Sequence, residues 1–170
     1  MSRRPYVLFR SAARRHFLRG ARRMVAALRP TLGPFPRGVL VMPERGIGQK
    51  PEWLDSGGVI ARRIVQLADA YADPGAMFVR HMVWRLHEDV GDGTVTAAVM
   101  FLELLEQGMR YVAAGGDPAL LHRYLLSTTE SICAALAAQA MPIEGRQQIA
   151  RLAESICFDS SIAAVLGEVF

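Results

Sequence analysis

Lysine is almost missing from this 170-residue chain: Lys50 stands alone against nineteen arginines. Acidic residues are missing from the first 43 positions, Glu44 being the earliest, while ten arginines fall in that stretch. No run of about 18 apolar residues occurs, so no membrane-spanning helix is expected. The N-terminus lacks the apolar stretch of a secretory signal. Cysteine is scarce too. Cys133 and Cys157 have no CxxC spacing and no histidine beside them, which argues against a disulfide framework and against metal or redox work. Both lie in apolar, helix-like sequence and are expected to be reduced core thiols, which points to the cytoplasm. What the chain does have is apolar bulk: 51% of residues, with a mean hydropathy of +0.17. That suits one domain, with a possible fragment of a second, and leaves apolar faces for partners.

The net charge of +4 is unevenly placed, because from Glu44 onward ten basic residues face sixteen acidic ones. A basic, acid-free start admits a nucleic-acid-binding module, an organelle transit peptide or the solvated face of an amphipathic helix. Phe17, Ala21, Met24, Val25 and Leu28 recur at helical spacing, and Arg14, Arg15, Arg19, Arg22 and Arg23 fall mostly off that stripe. The third reading is therefore favoured.

The first helix is expected from about Leu8 to Leu28, ended by Pro30, Gly33, Pro34 and Pro36. Val39–Met42 and Pro51–Leu54 read as strands of a small hairpin around a Gly-rich turn. Helical patterns follow over Val59–Ala68, Pro74–Asp89, Thr94–Ala114, Pro118 to about Ala140, Arg146–Cys157 and Ser160–Val169. Thr94–Ala114 is apolar nearly all round and so reads as buried. Asp117 is a suitable N-cap with Pro118 at the first helical position. The fold class expected is mainly α, with one β-hairpin. Trp53 and Trp84 are expected to be packing residues. His81 and His87 share no helix face and make a poor metal pair. Gly46–Lys50 lacks the spacing of a phosphate-binding loop.

Three glycine-bearing turns stand out: Thr31-Leu32-Gly33-Pro34 after a helix, Asp55-Ser56-Gly57-Gly58 before one, and Gly91-Asp92-Gly93-Thr94-Val95-Thr96 before another. In the third, glycines allow close backbone approach, the helix start offers free N–H groups to an anion, and Thr94 and Thr96 add hydroxyls. Asp92 would repel a phosphate unless it holds Mg²⁺ bridging to phosphate oxygens. The simpler alternative is a capping loop with Asp92 or Thr94 as N-cap.

The turns in this order, with VxARxI at Val59–Ile64, GDGTxTA at Gly91–Ala97 and AAGGDP at Ala113–Pro118, resemble the chaperonin family over nearly the whole chain. The resemblance implies a helical, equatorial-domain-like bundle that binds ATP or ADP with Mg²⁺. Residues 1–140 would form the N-terminal half of that domain, and residues 141–170 the start of an intermediate-domain-like segment. Thr31, Leu32, Gly33 and Pro34 would contact nucleotide. Gly57, Gly93, Thr94, Val95 and Thr96 would lie at the phosphates, and Asp92 would ligate the metal. Asp55 would take the family's hydrolytic Asp role if one residue is inserted; the ungapped match is Ser56. Partners implied are other chaperonin subunits in a ring and unfolded protein clients, with no membrane and no nucleic acid.

There are departures. Phe35-Pro36 replaces the family's Lys-Gly, and Pro36 removes an N–H donor. Val95 stands where the family has Thr. The apical domain and the C-terminal equatorial half lie outside the sequence, so ATPase activity is expected only in an intact subunit and not from this chain by itself. A divergent, non-hydrolysing chaperonin-like scaffold or interaction protein is the alternative reading.

Overall fold

A computed structural model describes residues 7–33, 35–42 and 50–170. Those residues are mainly helical, with seven α-helices and one two-stranded antiparallel sheet. Pro34 and the Gly46–Lys50 turn up to Gln49, both singled out above, lie outside the described residues.

Helix α1 (Arg10–Leu28) buries the stripe that its spacing marks: Ala21, Met24 and Leu28 are fully buried and Val25 nearly so. The flanking arginines remain exposed and find acids elsewhere. Arg22 Nε lies 2.7 Å from Glu106, while Arg19 and Arg23 lie 3.5 and 3.6 Å from Asp69. The basic stretch is thus the solvated, ion-paired face of a core helix. A single 3₁₀ turn (Arg29–Thr31) closes α1, and the Arg37 N–H donates to the Pro30 carbonyl to fold the proline-rich loop back.

Strands β1 (Val39–Val41) and β2 (Glu52–Leu54) pair antiparallel, with Leu40 opposite Trp53. Trp53 is 70% exposed and covers Gly38, where a Cβ would strike its indole. It packs on the hairpin and not in the core. Trp84 is a packing residue as expected, held between the Arg62 guanidinium, 4.2 Å from its ring centre, and His87.

Helix α2 (Gly57–Arg63) stops five residues before the periodicity does. Ile64 turns extended, and the Leu67 N–H is taken by the Asp73 carboxylate at 2.7 Å instead of a helical carbonyl. Helix α3 (Asp73–Asp89) crosses α1 at two glycines: a Cβ on Gly20 would meet the Ala72 carbonyl, and one on Gly75 the Phe17 carbonyl. Close approach of the two backbones is what these glycines permit. Helix α4 (Thr94–Ala113) lies against both α1 and α3, and Phe78 bridges the three, meeting Phe17 edge-on at 5.7 Å between centroids and stacking on Phe101 at 5.4 Å.

The core formed this way joins α1 to α4 around Met24, Leu28, Ile60, Val79 and Val83. Helix α4 is less buried than its composition suggests. Thr94, Val95 and Ala98 are buried, but Met100 and Leu104 are 60% and 54% exposed. Only one of its apolar faces has a described neighbour.

The chain divides into two compact units, residues 1–116 and 117–170, whereas the sequence reading drew its boundary at residue 140. In the second unit, α5 (Pro118–Gln139) begins at the Asp117 cap, whose carboxylate accepts the Ala119 N–H at 2.8 Å. None of its residues is buried. Helices α6 (Arg146–Cys157) and α7 (Ser160–Val169) pack on each other, with Gly167 of α7 set closely against Ala150 and Arg146. The cysteines are free thiols but not core residues: Cys133 is exposed on α5 and Cys157 half-buried at the end of α6. The apolar sequence around Cys133 has no described packing partner to bury it.

Candidate functional site

The three glycine-bearing turns are up to 60 residues apart in sequence and meet around one cleft of about 320 Å³. Thr31, Leu32, Gly33 and Pro36 line it from the end of α1. Asp55, Ser56 and Gly57 line it from the start of α2, and residues 91–96 from the start of α4. The core causes this convergence, since α1, α2 and α4 all pack with it and present these termini at one end.

The contact between α2 and α4 is close. A Cβ on Gly57 would collide with the Val95 side chain and come within 3.3 Å of the Thr94 hydroxyl. Val95 is itself 6% exposed and belongs to the core. Its side chain fastens the start of α4 in place, and what it offers the cleft is its backbone. Thr31 is also buried, and its hydroxyl donates to the Leu28 carbonyl at 2.8 Å. That bond fixes the turn after α1 and leaves the hydroxyl oxygen only as an acceptor.

The start of α4 is not capped by a side chain. Its N-cap is Gly93, in the left-handed region at φ 73°, with no side-chain hydrogen bond to the first turn. This differs from a capping loop built on Asp92 or Thr94. Asp92 Oδ1 accepts only the adjacent Gly93 N–H, at 2.6 Å, and its carboxylate stays exposed. The N–H groups of Thr94, Val95 and Thr96 therefore have neither an intrahelical acceptor nor a cap, and they carry the positive end of the helix dipole.

The charge balance of the cleft decides what it can hold. Among the described residues, Asp55 and Asp92 are the only ionisable ones lining it, and no arginine or lysine is there. Bare phosphate would meet two carboxylates. A hard divalent cation reverses that, because Mg²⁺ takes one or two carboxylates and completes its shell with water and phosphate oxygens. The described residues contain no group of three or more metal-ligating side chains. A cation held by Asp55 or Asp92 would therefore need further oxygen donors from water or a ligand.

Of the residues singled out in sequence, Thr31, Leu32, Gly33, Asp55, Ser56, Gly57, Asp92, Gly93, Thr94, Val95 and Thr96 all line this cleft. Pro34 lies outside the described residues. Pro36, a helix breaker that departs from the family pattern, also lines the cleft. Asp55 and Ser56 line it together, so the start of α2 contributes a carboxylate to the cleft. No family model matches the sequence.

Proposed function

We propose that this chain binds a Mg²⁺-nucleotide through its phosphates at the cleft shared by α1, α2 and α4, as the ATP-binding segment of a chaperonin-type subunit. The observation that carries the reading is the meeting of all three turns in one cleft that is lined by an uncapped helix start and whose only charges, among the described residues, are carboxylates. A carboxylate cleft beside free N–H donors suits a cation–phosphate pair better than either ion alone.

Each residue then has a definite task. Asp92, whose Oδ1 accepts only the Gly93 N–H, would hold the metal. The free N–H groups at residues 94–96 and the hydroxyls of Thr94 and Thr96 donate to phosphate oxygens. Leu32 and Gly33 form the wall against which the rest of the nucleotide lies. Bound Mg²⁺ would supply charge neutralisation between Asp92 and the phosphates. In this reading Asp55 would be the residue to accept a proton from an attacking water, since Ser56 has no charge for that task. The proposal is one of binding, and hydrolysis is left to an assembled subunit.

Association with further subunits is part of the same reading. It is supported by apolar side chains left open on α4 (Met100, Leu104, Tyr111) and on α5 (Leu126, Ile132, Leu136). Burial of such surface at about 25 cal/mol per Å² is the usual drive for assembly.

The test is calorimetric titration with Mg-ADP and Mg-ATP beside the Asp92→Ala variant. Saturable binding is expected, lost on chelating Mg²⁺ and weakened at least tenfold by the substitution. Folded protein that binds neither nucleotide, or an Asp92→Ala variant that binds as well as the parent, would overturn the proposal.

A further inference from the structure

A second and larger cleft, of about 800 Å³, lies between the hairpin and the segment that follows α2. Its charge is opposite to that of the first. Among the described residues, Lys50, Arg62, Arg63 and Arg80 line it, with Glu52 as the one acid. Glu52 is already engaged, accepting from Arg63 Nε at 2.6 Å and Nη2 at 3.2 Å. Lys50, Arg62 and Arg80 have no ion pair among the described residues.

Arg80 is the informative member. Its Nε is buried without a hydrogen-bond partner, and its Nη2 reaches only the Arg62 carbonyl, at 3.3 Å. A buried donor left unmade is costly, and more so when it belongs to a charged group. The position of Arg80 is set by α3, which packs in the core through its neighbour Val79, so the side chain cannot simply withdraw with its helix. Arg62 is likewise held, its guanidinium stacked on Trp84, which leaves the in-plane N–H edge for hydrogen bonding. Two positioned guanidiniums and a lysine without counter-charge, in a cleft, are an arrangement for a ligand with more than one negative charge.

We propose that this cleft binds a multiply charged small oxyanion, of the phosphate or polycarboxylate class, between Arg80, Arg62 and Lys50. The aliphatic side chains of Val41, Ile64 and Val65 line the same cleft and would take an apolar part of such a ligand. The proposal is independent of the nucleotide reading, because no lining residue is shared between the two clefts.

The experiment titrates inorganic pyrophosphate, and separately citrate, into the full chain in EDTA at fixed ionic strength. Parent protein is compared with Arg80→Met, Arg80→Lys, Lys50→Met, Asp92→Ala and the remote control Arg15→Met. Saturable binding is expected with one or both probes: pyrophosphate alone assigns the phosphate class, citrate alone the polycarboxylate class. Arg80→Met should weaken it at least tenfold, Arg80→Lys and Lys50→Met less, and Asp92→Ala and Arg15→Met not at all. Should Arg80→Met fail to fold, Lys50→Met, at the exposed rim, carries the test. Three results would overturn the proposal: no saturable binding, equal weakening by Arg15→Met, or loss on Asp92→Ala with Lys50→Met and Arg80→Met unaffected.

Discussion

The second compact unit of this chain is at least as apolar in sequence as the first, yet the two have very different interiors. In residues 7–116, four helices surround a core with fully buried Met24, Leu28, Ile60, Val79 and Val83. In residues 117–170, only Ala163 and Gly167 are buried, and the long helix α5 buries nothing. The difference teaches that apolar content sets how much surface could be buried, whereas burial itself needs faces that meet. The first unit has them, because glycines at the α1–α3 crossing let backbones approach and aromatic rings bridge three helices. The second unit relies on the contact between α6 and α7 and on its caps.

The sharpest way to break the comparison is a core truncation. Met24→Ala should cost about 2–5 kcal/mol, the range for emptying a packed site, and denaturant unfolding should report it as a large fall in midpoint. An effect below about 1 kcal/mol would mean that the first unit is no better packed than the second. At the start of α5, Asp117→Ala removes the acceptor of the Ala119 N–H and should cost about 1 kcal/mol, read as loss of helicity by circular dichroism. With no α5 residue buried to offset it, that loss should concentrate in the second unit, and hydrogen exchange can localise it.

The smallest expected effect concerns the tie between α1 and α4. The hydrogen bond from Arg22 holds the Glu106 carboxyl below its usual range, and the same bond raises the Arg22 value. A carboxyl with a lowered folded value stabilises the protein above its unfolded value of about 4.3. That stabilisation fades as pH falls through the folded value. Glu106→Gln should therefore lower stability by at most about 1 kcal/mol at pH 7, as for other partly exposed pairs, with the difference from the parent shrinking below pH 4. A gap that persists in strong acid would assign the effect to packing instead.

Much of the architecture was legible in the residues. The stripe on α1, the Asp117-Pro118 start of α5 and the limits of α6 and α7 follow from periodicity and capping chemistry, which act within a few residues. The three turns were legible as candidates for the same local reason: glycine beside a helix boundary with hydroxyl and carboxylate neighbours. Where α2 ends was not legible, since Asp73 captures the Leu67 N–H from six residues away. Nor was the exposed state of Cys133 or of one face of α4, because apolar sequence does not say whether a neighbour will arrive.

The sequence by itself determined which segments are helical, where caps and turns fall, and which residue types each turn carries, because those preferences are short-ranged. Only the tertiary structure decided that Thr31, Asp55 and Asp92 share one cleft and that Val95 serves the core while its backbone serves the site. It alone gathered Lys50, Arg62 and Arg80 into a second cleft with no carboxylate to spare among the described residues. Those juxtapositions arise from helices packed at fixed crossings, and no local propensity encodes the distance between residues that the core brings together.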